Sequence, residues 1–271
     1  MNQIAVLLCM SADTPKELAR RAVVSTVAAL ATGDSIFLLI DGGEREAAEF
    51  LTRDAHPIPL KILSSPERNG LAAGLNHLVD HVLESPIFGL LARMDADDES
   101  LPGRFHEQRA FLEVHQEVDI LGGGCREVNE AGVFLQEKRM PQSHDQILEA
   151  LPRRNPMNHP TVIFRRRVFE AGVRYRDDVG RIEDYHLWVD AAAMGFRFAN
   201  LPNSVLNFRR DGSFFHRRGG WDLANAEANV RWRAMLVTKA VTPRNMLWMA
   251  AAWILRLLPS SLQSFLYRHL R

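Results

Sequence analysis

Cysteine is nearly missing from this chain. Only Cys9 and Cys125 occur among 271 residues, too few for a disulfide framework or a zinc site, so both are expected to be reduced and structural. A surplus of charge is missing as well. Lys plus Arg and Asp plus Glu each number 33, which argues against a general nucleic-acid binder, and no nucleic acid is expected as a partner. The start, Met1-Asn2-Gln3-Ile4, has no basic n-region, and its apolar stretch gives way to Asp13, so no secretion signal is read and a cytoplasmic location is expected. One region lacks acid altogether. After Glu227 there is no Asp or Glu, while Arg231, Arg233, Lys239, Arg244, Arg256, Arg268 and Arg271 follow. This basic tail on an acidic body points to an anionic partner.

What is present suggests one enzyme-sized globular unit with a full core, since 46% of the residues are hydrophobic. Apolar runs alternate with helical periodicity in the first half. Ile4 to Leu8 reads as a buried strand, and Thr14-Pro15-Lys16-Glu17 predicts a capping box that opens a helix to about Leu30. Ile36 to Ile40 is a second strand, ending in Asp41-Gly42-Gly43, and Leu60 to Leu63 a third. Gly70 to Leu83 then has Leu71, Leu75, Leu78, Val79 and Val82 at helical spacing. The next run, from Phe88 to Met94, leads into Asp95-Ala96-Asp97-Asp98. Continuous apolar strands separated by helices imply a mainly parallel sheet with covered faces, and ligands then bind outside the carboxyl ends of the strands. A strand that delivers carboxylates there asks for a hard cation, Mg²⁺ or Mn²⁺, which takes one or two carboxylates together with phosphate oxygens. The bland alternative is a solvated acidic turn. Asp41 sits at an equivalent strand end, either to accept hydrogen bonds from a base or ribose or simply to form the turn before Gly42.

The second half is less regular. Glu183-Asp184 stands just before an amphipathic stretch to Met194, hence at a helix N-terminus, where acids are favoured by the macrodipole. Beside an upstream metal site, such a carboxylate becomes a candidate general base. His159, in Asn158-His159-Pro160-Thr161, reads as a structural residue that fixes a turn. The run Arg165-Arg166-Arg167 reads as a solvated face, although one of the three could pair with a diphosphate.

Taken in order, Asp41, Asn69-Gly70-Leu71-Ala72 through Asn76, Met94-Asp95-Ala96-Asp97-Asp98 with Pro102, Asn158-His159-Pro160-Thr161-Val162 with Phe164-Arg165-Arg166, and Glu183-Asp184-Tyr185-His186-Leu187-Trp188 resemble the family 2 glycosyltransferases. More narrowly, they are similar to bacterial enzymes that build exopolysaccharide or lipopolysaccharide, the amylovoran-type branch among them. The resemblance covers roughly residues 4 to 212. It implies a GT-A fold, a divalent metal and an inverting transfer from a nucleoside diphosphate sugar, a UDP-sugar being expected, to a glycan or lipid-linked acceptor. Cys9, Ser11, Asp41, Asn69, Asn76, Asp95 and Ala96 are the implied nucleotide-sugar positions, with Asp41 on the base and Asp95 on the ribose or sugar side. Asp97 is the implied metal ligand, Asp184 the base and Glu183 its neighbour that orients the acceptor, with His159 and Arg165 on the acceptor side. Three positions depart from the family pattern. Ser11 stands where an aromatic residue is common, Ile40-Asp41 where a pair of acids is usual, and Asp211 where many members have a further ligand, His; Asp211, His216 or water would complete the metal shell.

The implied layout is a catalytic domain over residues 1–220, with a nucleotide-binding half to about 100 and an acceptor half from about 101, followed by a basic helical segment over 221–271. Met246 to Leu255 is apolar on all sides but is cut short by Arg256 and Pro259, well below the ~20 residues that span a bilayer. Trp248, Trp253, Phe265 and Tyr267 suit a headgroup boundary, so this segment is expected to lie on the anionic inner face of the cell membrane, and a buried helix is the alternative. Two other functions compete. A sugar nucleotidyltransferase usually opens with a Gly-rich phosphate loop, which Leu8-Cys9-Met10-Ser11 is not. A non-catalytic nucleotide-sugar-binding or scaffolding protein would not need Asp97 and Asp184.

Overall fold

The computed structural model describes residues 3–210 and 220–258. Strand and helix alternate at first: β1 (Gln3–Ser11), α1 (Lys16–Ala29), β2 (Ser35–Asp41), the short α2 (Leu51–Asp54), β3 (Leu60–Ser65), α3 (Gly70–Leu83) and β4 (Phe88–Asp95). Then come β5 (Glu99–Ser100), α4 (Arg104–Val114), β6 (Ile120–Val128), β7 (Phe134–Lys138), α5 (His144–Ala150), β8 (Ile163–Arg165), α6 (Arg166–Glu170), α7 (Glu183–Ala193), β9 (Phe198–Arg209), α8 (Trp221–Val237) and α9 (Pro243–Leu257). The strands form one sheet in the order β3-β2-β1-β4-β8-β6-β9-β5, with β7 paired to β6. From β3 to β4 every pairing is parallel. Beyond β4 the sheet is mixed, because β8 runs antiparallel to both β4 and β6, while β6 and β9 are parallel.

Both faces of the sheet are covered, and strand parity decides which side chain goes where. On β1, Ala5, Leu7 and Cys9 enter a core shared with α3 and α7, whereas Ile4, Val6, Leu8 and Met10 enter a core shared with α1 and α4. Side chains alternate with period two along a strand, so Asp41 follows Leu39, and Asp95 follows Leu91, onto the α3–α7 face. The two acids are not on neighbouring strands. β1 lies between them, with Ser11 opposite Asp41 and Cys9 opposite Asp95.

Close packing of α3 on the sheet depends on Gly74. A Cβ there would come within 2.8 Å of both Cys9 Sγ and Leu39 Cδ2, a separation that real side chains do not tolerate. At the other side of this core Trp188 is fully buried and stacks on Phe164, with ring centroids 5.8 Å apart. Truncating such a residue costs about 3–5 kcal/mol.

Two expectations from the sequence need correction. The capping box before α1 does not form: Pro15 takes the cap position without a side-chain bond, and Thr14 Oγ1 lies 3.3 Å from Ser11 Oγ instead. The basic tail is in part neutralised within the molecule. Arg231 and Arg256 both pair with Glu227, and Arg233 pairs with Asp190 on α7. Moreover, α8 belongs to the body, since Val230 and Ala234 sit in the α3–α7 core. α9 lies on α8 through Trp253 Nε1, which donates to Asn225 Oδ1 at 2.9 Å, and through the rings of Trp221 and Trp253, 5.0 Å apart. Its opposite side is exposed. Phe265, Tyr267, Arg268 and Arg271 lie outside the described residues.

Candidate active site

At the end of β4 the chain turns so that ligand atoms of Asp95, Asp97 and Asp98 all lie within 4.8 Å of one another. The turn is held from below by buried Arg104, whose guanidinium donates to the carbonyls of Arg93 and Pro160 at 2.7 and 2.8 Å and to Ser100 Oγ at 3.2 Å. Asp95 is paired with Arg93, which is fully buried. Asp97 is exposed. Asp98 is buried, with Oδ1 accepting the backbone N–H of Arg209 at 2.8 Å and Oδ2 left without a partner. Burial and the charges of Asp95 and Asp97 push the Asp98 carboxyl well above the usual carboxylate range. Three carboxylates meet at one point, one of them paired with Arg93 and another buried with an orphaned oxygen, and the oxygen-only donor set fits a hard divalent cation.

A cleft of about 580 Å³ runs from this point to the start of α7 and on to α8. Asp95, Asp97, His159, Glu183 and Asp184 all line it. Asp184 Oδ2 accepts Asn155 Nδ2 at 2.6 Å and Oδ1 accepts the Tyr185 N–H at 2.7 Å, while Asn155 Oδ1 accepts the Met157 N–H at 3.2 Å. Asn155 therefore fixes the orientation of the Asp184 carboxylate. Glu183 is more deeply buried, and burial together with the neighbouring Asp184 charge raises it to about 7. The two acids thus occupy different environments, Glu183 buried and Asp184 held at the cleft by Asn155. His159 shares a 3.0 Å hydrogen bond between Nε2 and the Tyr175 hydroxyl. Burial and the charge of Arg93 hold it well below its usual range, so it is neutral and packed.

Other residues named from the sequence lie elsewhere. Asp41 accepts the N–H groups of Asn69 and Gly70 at 2.8 and 3.0 Å, capping the start of α3, where Gly70 adopts φ of +84°. The Asn69 side chain bonds Ser65 Oγ at 2.8 Å, and Asn76 bonds both the N–H and the carbonyl of Tyr175, tying α3 to the second half. Cys9 is packed beneath α3, and burial pushes its thiol up to about 12. Ser11 remains at the β1 end, and Ala96 is buried within the acidic turn. Arg165 does not reach the cleft: it donates to the carbonyls of Leu112, His115 and Val118, closing the C-terminal end of α4. Arg166 is likewise occupied, on the carbonyls of Leu83 and Ser85, whereas Arg167 pairs with Asp119 and stays exposed, so the expected solvated face holds at Arg167 alone among the three. Asp211 and His216 lie outside the described residues.

Three groups were not singled out from the sequence. Asp98 could have been, as the third carboxylate of the run. Asn155 carries no motif of its own, and the α8 wall formed by Glu227 and Arg231 shows only as an ordinary i,i+4 pair.

Fold and site together define an α/β protein with acids at the carboxyl end of a parallel strand, facing a second acidic pair across one cleft. The family model "Glycosyl transferase family 2" matches residues 16–172, and the chain belongs to that family. It is 32% identical over 236 residues to the amylovoran biosynthesis glycosyltransferase AmsE of Erwinia amylovora, with 86% of each chain covered. Among the solved structures that share its fold are two nucleotide-sugar complexes. S. aureus TarS 1–349 in complex with UDP-GlcNAc has a TM-score of 0.66 at 14% identity, covering 94% of this chain and 72% of that one. The mannosyltransferase PcManGT from Pyrobaculum calidifontis, in complex with GDP-Man and Mn²⁺, has a TM-score of 0.62 at 15% identity, covering 99% and 80%. The protein is a glycosyltransferase.

Proposed function

We propose that the chain transfers a sugar from a nucleoside diphosphate sugar, a UDP-sugar in the first instance, to a hydroxyl of a growing, lipid-linked bacterial surface polysaccharide, with inversion at the anomeric carbon. The observation that carries this reading is the cleft shared by the Asp95–Asp98 turn and the Glu183–Asp184 pair. Asp95, Asp97 and Asp98 would hold Mg²⁺ or Mn²⁺, which when bound neutralises negative charge developing on a diphosphate leaving group. Asp184, oriented by Asn155, takes the proton of the acceptor hydroxyl, and Glu183 stands beside it to position the acceptor. A single displacement from the side opposite the leaving group inverts the centre. TarS and PcManGT, captured with nucleotide sugars, and AmsE, a polysaccharide enzyme, are consistent with the donor and acceptor classes.

The reading extends to where the acceptor is met. No helix among the described residues is long and apolar enough to cross a membrane. Yet α9 turns Leu247, Trp248, Ile254 and Leu255 outward, exposed by 71, 52, 55 and 36%. An apolar helix face of this kind, with Lys239 and Arg244 near its start, suits an anionic lipid surface on the cytoplasmic side.

A panel of nucleotide sugars, assayed for metal-dependent release of nucleoside diphosphate, tests the chemistry. Release with at least one donor is expected. Binding without release from any donor, with or without metal, would leave a non-catalytic nucleotide-sugar-binding protein. Sedimentation with anionic vesicles tests the surface, and replacing Leu247, Trp248, Ile254 and Leu255 by Ser should abolish it while keeping release.

A further inference from the structure

By its place in the sheet, position 93 belongs to the apolar core. Along β4, Leu91 enters the α3–α7 core, and two residues later the strand presents its next side chain to the same face. That side chain is Arg93, which has no exposed surface. Its guanidinium is only partly satisfied. Nη1 donates to the Met94 carbonyl and Nη2 to Asp95 Oδ1, while Nε is buried without a partner. A buried ion pair is a poor device for stability, since apolar side chains of like volume in its place are often neutral or stabilising. A task at the cleft accounts for the arginine better.

That task is set by what the fork grips. Met94 and Asp95 are the last residues of β4, where the acidic turn begins. The two arms therefore fix both the backbone that leads into the turn and the carboxylate that opens it. Asp95 lines the cleft with 27% of its side chain exposed, so Oδ1 is held from within and the other oxygen is left to the cleft. A planar fork can hold a carbonyl and a carboxylate at once, which the single ammonium of a lysine does less well. The charge of Arg93 also reaches further acids. Burial raises the carboxyls of Asp98 and Glu183, and Arg93 acts on both in the opposite sense. We propose that Arg93 is a positioning residue for the donor: it sets Asp95 for contact with the bound nucleotide sugar and acts through Asp95. This rests on the reading that the cleft takes a nucleoside diphosphate sugar.

UDP and GDP serve as probes, titrated calorimetrically at saturating Mn²⁺ into full-length wild type, Arg93→Met, Arg93→Lys, Asp95→Asn and the two double variants, with circular dichroism verifying the fold. Arg93→Met should weaken binding of the nucleotide that the wild type takes by about tenfold or more, and Arg93→Lys, which keeps the charge and loses the fork, by less. In the Asp95→Asn background neither change should cost more than about twofold, because the carboxylate through which Arg93 acts is already gone. Mn²⁺ alone, followed by electron paramagnetic resonance, should bind Arg93→Met no more weakly than the wild type, since a neighbouring cation has been removed. Equal losses in both backgrounds would overturn the proposal, as would wild-type nucleotide affinity in Arg93→Met. So would a parallel loss of Mn²⁺ and nucleotide, which would mark a general collapse of the turn, or a lower kcat at unchanged nucleotide affinity, which would assign Arg93 to Glu183. Nucleoside diphosphate release on the same preparations separates the two readings: the expected binding pattern without release would leave the role of Arg93 standing and remove the transferase mechanism.

Discussion

At the end of β2, Asp41 has both carboxylate oxygens taken by the N–H groups that open α3. Just past the end of β4, two strands away, Asp98 is buried with one oxygen unpartnered, and Asp95 and Asp97 crowd it with like charge. Both ends are acidic turns at the carboxyl edge of a parallel sheet, and as sequence they read alike. The difference is the supply of donors. The first carboxylate meets a helix start whose N–H groups would otherwise be unsatisfied, and the second meets a single backbone N–H and two other carboxylates. Asp41 thus carries a structural task at the start of α3, whereas the β4 turn keeps a carboxylate oxygen without a partner.

The contrast is broken most severely at Asp97. Asp97→Asn should reduce sugar transfer to background without loss of fold, since a neutral amide replaces a charged hard ligand at nearly constant volume. Transfer that survives both this change and chelation by EDTA would show that the β4 turn is as satisfied as the β2 turn. Next comes the base. Asp184→Asn should lower kcat by about a hundredfold or more with donor affinity largely kept; a fall in affinity at constant kcat would make Asp184 a binding residue.

Glu183 sharpens the comparison through pH. Its carboxyl is raised to about 7 in the folded protein, against about 4.5 in an unfolded chain, so the native state holds the proton more tightly. The sign follows: stability is highest below about pH 4.5 and declines as pH rises through 7, by up to about 3 kcal/mol. Glu183→Gln should flatten this dependence and raise the melting temperature at pH 8, while impairing transfer. A melting profile as steep as that of the wild type would place the cost elsewhere. The smallest effect is expected at Asp41. Asp41→Ala should cost about 1–2 kcal/mol of stability by uncapping α3, with UDP affinity changed little; a large loss of UDP affinity at unchanged melting temperature would restore the nucleobase role that the family resemblance implies.

Legibility in the sequence followed locality. The strands of the first half and the helix Gly70–Leu83 were readable because period-two and period-3.6 patterns are set by neighbours in the chain. The placement of Glu183-Asp184 at the first turn of a helix was readable for the same reason. Arg165 was not, because a run of three arginines looks the same whether it faces water or the end of α4. The charge of the tail misled in a similar way, since composition cannot show that Glu227 and Asp190 wait for Arg231, Arg256 and Arg233.

By itself, then, the chain's order of residues determined the alternation of strand and helix, the parity that sends Asp95 to the α3–α7 face, and the family, all of which rest on local pattern and motif order. Only the tertiary structure decided that Asp41 caps α3 while Asp98 keeps one buried oxygen without a partner, that Asn155 orients Asp184, and that α8 and α9 complete the cleft with cations on one side and an apolar face on the other. These are pairings between residues tens of positions apart in the chain. Whether a polar group is satisfied depends on what the fold brings within hydrogen-bonding distance, and no local pattern encodes that.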